Sequence, residues 1–415
     1  MVECLNKVCG VDVHKRFIAA TILSRAGEKE YREFGTELGS LLEFKDWVVS
    51  NRCERVAFES TGVYWIPVHM VLEGHVELLL ANAQFIKNHP GRKTDKIDSG
   101  WIAELCLNNQ IVASRVFQGT DREFRWLTRH RENLVNNVTQ CKNRIHKALQ
   151  TSQVKLSSVL SDVFGMTGMM IVEGLLRRDD PEVIVKRIKT RALKEKAPLI
   201  LEAIRTGLDP VSCMLIRDNL AIINALTERI EDVDAEINRY ILAREEDFRI
   251  ALSMPGMGQV NASAILSEIG DYHDFRNGDS LAHWFGITPS LYQSADKRIN
   301  GSITKRGSPH ARKTMVEAAW AAIKAKGTIF NRAYLRIKAR RGAKVAIVAI
   351  ARKMLCILHH LLVNREMYME KGIKEKHFKI KTTASSKVMT VEEMIKCLHE
   401  AGYIVRRDKG FKGCT

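Results

Sequence analysis

Two carboxylates three residues apart, Asp95 and Asp98 in the stretch GRKTDKIDSG, stand among the cations Lys93 and Lys96. If a helix already runs through them they share one face, and like charges so placed are tolerated best with a cation between them. The same residues also suit a plain helix start, with the acids favoured by the positive end of the dipole and the lysines solvated. Two further acids interrupt apolar runs: Asp12 in GVDVHK and Glu59 in AFEST. Each alone reads as a solvated or hydrogen-bonded strand-end acid. Together the four form a set of hard oxygen donors of the kind that Mg²⁺ or Mn²⁺ takes alongside water and phosphate oxygens. Two such ions about 3.5–4 Å apart stabilise both the attacking and the leaving oxygen in phosphodiester cleavage. Lys93 and Lys96 would then hold nucleic-acid phosphates.

The elements that must position these acids are read from hydrophobic periodicity. KVCGVDVHK and RFIAATIL read as two strands, and REFGTELGSLLEFKDWVVSN as the end of a third leading into a helix. RVAFEST reads as a fourth strand, VYWIPVHMVLEG as a helix stopped at Gly74, and HVELLLAN as a fifth strand, before the helix that follows Asp95. Three strands and then alternation predict an α/β, mixed-sheet domain over residues 1–115, not a doubly wound dinucleotide fold. An acid in strand one, an acid closing strand four and an acid pair on a later helix describe a four-carboxylate cluster on a ribonuclease-H-type sheet.

The chain then turns helical, giving α/β plus α overall. Leu134, Val138, Cys141, Ile145 and Ala148 recur at steps of four and three, as do Ile223, Leu226, Ile230, Val233, Ile237 and Tyr240. These heptad seams predict two long coiled-coil helices within 120–245, paired with each other or with a partner chain, around a less regular insert at 151–210. A mainly helical domain is expected over 246–365. Its SMPGMGQVNASAILSEIG places Gly256 and Gly258 in a tight turn between apolar helical stretches, a helix-hairpin-helix pattern. Such a turn either brings backbone N–H groups to a phosphate or is an ordinary helix connection. The tail, 366–415, carries no interpretable motif.

The net charge of +17 is concentrated. From Lys297 to Lys353 there are 16 Lys and Arg against one acid, Glu317, and Lys297, Arg298, Lys305, Arg306, Arg340 and Arg341 are the candidate phosphate contacts. A concentrated basic surface points to a polyphosphate partner, nucleic acid before acidic lipid, because Gly and Ser interleave the cations in place of an amphipathic stripe. Nine cysteines without a C-x-x-C pair fit neither a disulfide framework nor a zinc site, and are expected as reduced, mostly buried thiols. The N-terminus has no apolar leader run, and VAIVAIARKMLCILHHLLV is interrupted by charge, so a cytoplasmic protein without a membrane span is expected.

The ordered set GVDVHK, AFESTGVYW, RKTDKIDSGWIAEL, KLSSVLSDVFGMTG, SMPGMGQVNASAILSEIGDYHDF, FGITPS, GSITKRG and RRGAKVAIVAIARKML resembles the DEDD transposases of the one-ten family of insertion sequences, relatives of the Piv-type DNA invertases. The resemblance runs to about residue 365. It implies a RuvC-like N-terminal domain with metal-binding acids at Asp12, Glu59, Asp95 and Asp98, a coiled coil, and a C-terminal domain with a nucleophilic serine at Ser294. It further implies Mg²⁺ or Mn²⁺, donor and target DNA, a guide noncoding RNA, and a homo-oligomer that builds each site from two protomers. Ala295 and Asp296 stand where the family has glycines, which places a carboxylate near an incoming phosphate unless Lys297 or Arg298 neutralises it. The alternative activity is a metal-dependent, Holliday-junction-type endonuclease using the acids and water. A third reading is a non-catalytic nucleic-acid scaffold.

Overall fold

The computed structural model describes residues 4–59, 62–81, 95–117, 119–294 and 297–370. The chain divides into two compact units, Met1–Gln118 and Gly119–Thr415. In the first, β1 (Lys7–Val13), β2 (Phe17–Ser24) and β3 (Lys29–Gly35) precede α1 (Leu38–Ser50), β4 (Arg55–Glu59), α2 (Trp65–Leu72), β5 (Glu77–Ala81) and α3 (Asp95–Leu107). This is the expected order of elements. The strands form one mixed sheet in the order β3-β2-β1-β4-β5, with β1–β2 and β2–β3 antiparallel and β1–β4 and β4–β5 parallel.

Strand side chains alternate between faces, and both faces of this sheet are covered. Cys9, Val11 and Val13 of β1 join Val56 and Phe58 of β4 under α1 and α2, where Leu41, Phe44, Trp47 and Val48 form the facing stripe. Val8, Ala57, Leu79 and Ala81 point the other way and pack on Ile102, Ala103, Cys106 and Leu107 of α3. Burial on both sides explains why β1 and β4 read as nearly unbroken apolar runs, and why a charged residue within them stands out.

In the second unit α4 (Gly119–Thr151) leads into five short helices, α5 (Leu156–Val159), α6 (Met166–Arg177), α7 (Pro181–Lys186), α8 (Arg191–Lys194) and α9 (Ala197–Ile204), and the chain returns along α10 (Pro210–Ala243). The two long helices pair with each other and run antiparallel: Arg131 bonds Asp234 through two nitrogens at 2.5 and 3.0 Å, and the Tyr240 hydroxyl donates to Glu123 at 2.9 Å. Of the expected seams, Leu134, Cys141, Ile145, Ala148 and Ile237 are buried. The short helices close a separate core over the far end of the pair, around Ile171, Leu175, Ile184, Ile200 and Ile216.

The remainder is α11 (Glu245–Ser253), α12 (Gln259–Ile269), α13 (Gly278–Trp284), the antiparallel hairpin β6 (Pro289–Ser294) and β7 (Lys297–Ile303), α14 (Pro309–Ala322), α15 (Ile329–Arg341) and α16 (Ala343–Asn364). One helix among the described residues, α16, is long and apolar enough to cross a membrane. Here Ile347, Ile350, Met354, Leu358 and Leu362 of that helix are buried within the core that gathers α11 to α15. Cys9, Cys53, Cys106, Cys141 and Cys213 are buried free thiols, and burial pushes Cys53 and Cys106 up to about 12.

Candidate active site

The parallel register between β1 and β4 pairs Val8 with Arg55 and Val11 with Phe58. Carried one residue past Val11 and Phe58, the same register would bring Asp12 level with Glu59. Residues level with one another on adjacent parallel strands project from the same face, with strands about 4.8 Å apart. Asp12 is also level with Ala19 of β2, and Glu59 with Ala81 of β5. The two acids thus fall at the C-terminal ends of β1 and β4, with Ala19 and Ala81 level with them on the flanking strands.

That face is the one α3 covers. Gly10 has no side chain because α3 lies directly on it: a Cβ there would stand 2.2 Å from the Ala103 amide nitrogen and 2.3 Å from the Ser99 carbonyl oxygen. On the neighbouring strand the hydroxyls of Thr21 and Ser99 share a buried hydrogen bond of 2.7 Å. At the other end of the helix, Arg25 binds the Leu107 carbonyl oxygen at 3.3 Å and the Leu5 carbonyl oxygen at 2.9 Å. So α3 runs against β1, and its first turn reaches toward the edge that carries Asp12 and Glu59. At about 1.5 Å per helical residue, the four residues from Ser99 to Asp95 span roughly 6 Å. Two strand residues from Gly10 to Asp12 span nearly the same. Asp98 is half-buried in this turn. Asp95 and Lys96 are described there only as helical backbone, and Lys93 lies outside the described residues.

A histidine stands beside the first of these acids. His14 Nε2 lies 3.1 Å from Asp12 Oδ2, and its ring stacks on Phe17 with centroids 4.7 Å apart. Its signal was the two-residue spacing of GVDVHK, which puts Asp12 and His14 on one side of the extended chain. Among the described residues no three His, Cys, Asp or Glu side chains converge as a metal cage. Two carboxylates at neighbouring strand ends suit Mg²⁺ in chemistry, since that ion is held by one or two carboxylates with water and phosphate completing its shell.

In the second unit Ser294 ends β6 and is level with Lys297 of β7, so it stands at the tip of the hairpin; Ala295 and Asp296, which link the strands, lie outside the described residues. Of Ser294, Lys297 and Arg298 only the backbone is described. At the hairpin base, Lys305 N–H bonds the Gly286 carbonyl oxygen at 3.1 Å and Arg312 donates to the Gly307 carbonyl oxygen at 2.9 Å. Lys305 takes φ of +53°, a left-handed conformation that the surrounding contacts must hold. Lys305 and Arg306 are thereby exposed just before α14, whose start is capped by the Ser308 side chain. Arg340 and Arg341 are exposed in the last turn of α15.

The two glycines of the PGMG turn differ. Gly256, at φ +82°, lies against α14, where a Cβ would be 2.2 Å from the Ala318 carbonyl oxygen, so packing alone demands a glycine. Gly258 precedes α12 as its N-cap, and a Cβ there would meet open space.

A buried carboxylate that sequence patterning missed ties α4 to this domain. Glu268 of α12 is 2% exposed and receives Arg125 at 2.9 Å and Arg129 at 2.6 Å. Burial alone would raise its pKa, but the bonds and charges of Arg129 and Arg125 outweigh that and hold it below the usual range. Arg129 also reaches the Ser308 hydroxyl at 3.3 Å, joining the long helix to the start of α14.

Two family models match the chain on these two regions: a DEDD transposase model over residues 9–153, and the model described as Transposase IS116/IS110/IS902 family over 249–335. The chain belongs to the IS110 family of transposases. This IS110-family chain is 25% identical over 378 residues to a transposase for insertion sequence element IS1111A from Coxiella burnetii, covering 87% of this chain and 91% of the relative. It is 26% identical over 369 residues to a probable family 20 transposase of Pseudomonas aeruginosa, covering 87% and 95%. The first matched region contains the paired acids and α3, and the second contains the PGMG turn, the hairpin and much of the basic segment. The chain is an insertion-sequence transposase, an enzyme of DNA.

Proposed function

We propose that this IS110-family transposase cuts and rejoins DNA through a serine-linked intermediate, with Ser294 as nucleophile and Asp12, Glu59, Asp95 and Asp98 as the metal-holding acids of a RuvC-like domain. The observation that supports the reading is the parallel pairing of β1 with β4, which, continued one residue past Val11 and Phe58, brings Asp12 level with Glu59 on the face covered by the helix that begins at Asp95. The mixed sheet, antiparallel through β1 and parallel beyond it, supports the ribonuclease-H-type assignment.

The serine oxygen attacks phosphorus, the bond from phosphorus to one deoxyribose oxygen breaks, and that oxygen takes up a proton as the serine loses one. Attack by a second strand's hydroxyl reverses the exchange and restores the free serine, so the number of phosphodiester bonds is conserved without ATP. A divalent cation, Mg²⁺ or Mn²⁺, held by the acids would supply Lewis acidity and positive charge at the phosphate. The lysines and arginines from Lys297 onward hold the DNA backbone, with Gly258, at the open N-cap of α12, as a further phosphate contact. A noncoding RNA that selects donor and target DNA, assembly as a homo-oligomer through the long helices, and a cytoplasmic, nucleoid-bound location complete the reading; their support is family resemblance and the basic charge.

A suicide DNA substrate that loses its departing strand tests it. Wild-type protein should be trapped as a nuclease-sensitive band of raised mass that survives denaturant, and Ser294→Ala should give none while still binding DNA. DNA cut by wild type without any covalent band would favour the water-using endonuclease.

A further inference from the structure

Trp320 carries more exposed apolar surface than its place in a well-packed helix requires. It projects from α14 with 44% of its surface exposed, while its neighbours Ala318, Ala319 and Ala322 are buried. The buried Tyr334 of α15 meets it at a ring separation of 5.9 Å and an angle of 62°, so the indole is braced from one side. Lys338 in turn lies 5.8 Å from the Tyr334 ring. Lys324, just past the C-cap of α14, and Arg341, at the end of α15, are also exposed. No described carboxylate pairs with Lys324, Lys338 or Arg341; Glu317, one turn before Trp320, is the segment's sole acid.

We propose that Trp320 is a stacking platform for an unpaired base, which makes this face of α14 and α15 a binding surface for single-stranded nucleic acid. This rests on reading the basic segment as a nucleic-acid surface and adds the kind of strand it takes. A rigid aromatic face among cations matches a strand that offers both a free π-face and a phosphate backbone, and each stacked base contributes a sequence-tolerant share of affinity. In a duplex the π-faces are already stacked on one another, so cations alone would serve there, and an apolar protein partner would have to bring acids to meet this rim.

The test uses the full chain, fluorescence anisotropy, and four labelled probes: oligothymidylate, oligouridylate, an abasic strand of equal length, and a duplex. Wild type should prefer the base-bearing strands over the abasic one. Trp320→Ala and Trp320→Leu should each lose roughly tenfold or more for those strands. Neither should change for abasic strand or duplex, and the salt slope should hold because no phosphate contact is removed. Trp320→Phe, which keeps a π-face, should stay near wild type; Leu preserves apolar bulk and so separates stacking from packing. The DNA and RNA arms show which strand is held more tightly. Equal losses on strand and duplex, no loss at all, or a changed oligomeric state in light scattering with unchanged strand affinity would overturn the assignment. Wild type that binds none of the probes in a salt-dependent way would instead remove the nucleic-acid reading of the basic segment itself.

Discussion

Gly10 and Ser99 meet backbone to backbone, with the Ser99 carbonyl oxygen 2.3 Å from where a Gly10 Cβ would be. This contact sets how close α3 comes to the central strand, and hence where its first turn falls relative to Asp12. Gly10→Ala must push the helix away, because the atoms it meets are backbone and have no rotamer to change. Stability should fall by about 1–3 kcal/mol, the usual range for overpacking, and strand cleavage should be lost in the protein that still folds. Ser99→Ala removes one hydrogen bond and should cost only about 1 kcal/mol. Urea unfolding read beside a cleavage assay checks both, and a Gly10→Ala protein as stable and active as wild type would mean that α3 is not held there.

The acids should answer to Mg²⁺ in the melting temperature as well as in activity. Binding to the folded state alone raises the wild-type value, and in Asp12→Asn, Glu59→Gln and Asp98→Ala that rise should shrink. Without metal the same variants should melt at the wild-type temperature or slightly above it, since like charges have been relieved. None should cleave DNA. Full recombination in Asp98→Ala would take α3 out of the mechanism.

Glu268 should make the second unit sensitive to acid. Its carboxyl is held below the usual range despite burial, and so is that of Glu132, where the Lys313 and His310 hydrogen bonds outweigh the burial that would raise it. A lowered folded-state pKa contributes stability above the unfolded value, about 4.3 for Glu, and that stability is lost as pH falls through the folded value. The unfolding midpoint should therefore hold from neutral pH to about 5 and drop below about 4. Glu268→Gln leaves two arginines facing an uncharged group and should cost on the order of 3 kcal/mol at neutral pH. Its decline on acidification should be shallower. A variant with the same acid limb as wild type would move the sensitivity elsewhere.

The strands and helices of the first unit were legible because each is short and its burial pattern local: β1 to β5 and α1 to α3 follow the periodicity of the chain. What spacing alone left open was the partnership of Asp12 with Glu59, 47 positions on, which depends on β4 lying parallel beside β1. His14 is legible in its two-residue offset from Asp12, though the offset alone does not distinguish it from an ordinary strand-end histidine. The β6–β7 hairpin was missed inside an expected helical domain because SLYQS and KRINGSI are short and polar, with only weak alternation. Glu268 was invisible for another reason: its arginines lie 139 and 143 residues away, and a carboxylate on an apolar helix gives no sign of distant cations.

Ser290 supplies the internal control for the nucleophile. Its hydroxyl donates to the Ser302 carbonyl oxygen across the hairpin at 2.9 Å, and Gly301 packs against it so closely that a Cβ would be 2.3 Å from Oγ. A hydroxyl so engaged serves the hairpin, and Ser290→Ala should weaken it without abolishing covalent trapping. Ser294, four residues on at the tip, is the position whose loss should abolish it. Peptide mapping of the trapped species would distinguish the two directly. DNA found on Ser290 would keep the serine chemistry and move the nucleophile along β6.

The last expectation concerns charge. Lys305 and Arg306 are exposed at the hairpin base, and Arg340 and Arg341 at the end of α15. If they hold phosphates, each contact releases counterions, so the affinity of wild type should fall steeply with salt. Replacing all four with Ala should weaken binding to every DNA sequence about equally and flatten that dependence by up to about 3.6 in the log–log slope, at about 0.9 per duplex phosphate contact. Stability should change little, because these side chains are exposed and form no described ion pair, and a thermal melt checks that the loss is one of binding. Anisotropy titrations at several salt concentrations give the slope. An unchanged slope would place the phosphate-binding surface on other residues, and a flattened slope with selective loss at one sequence would show that these side chains read bases as well as backbone.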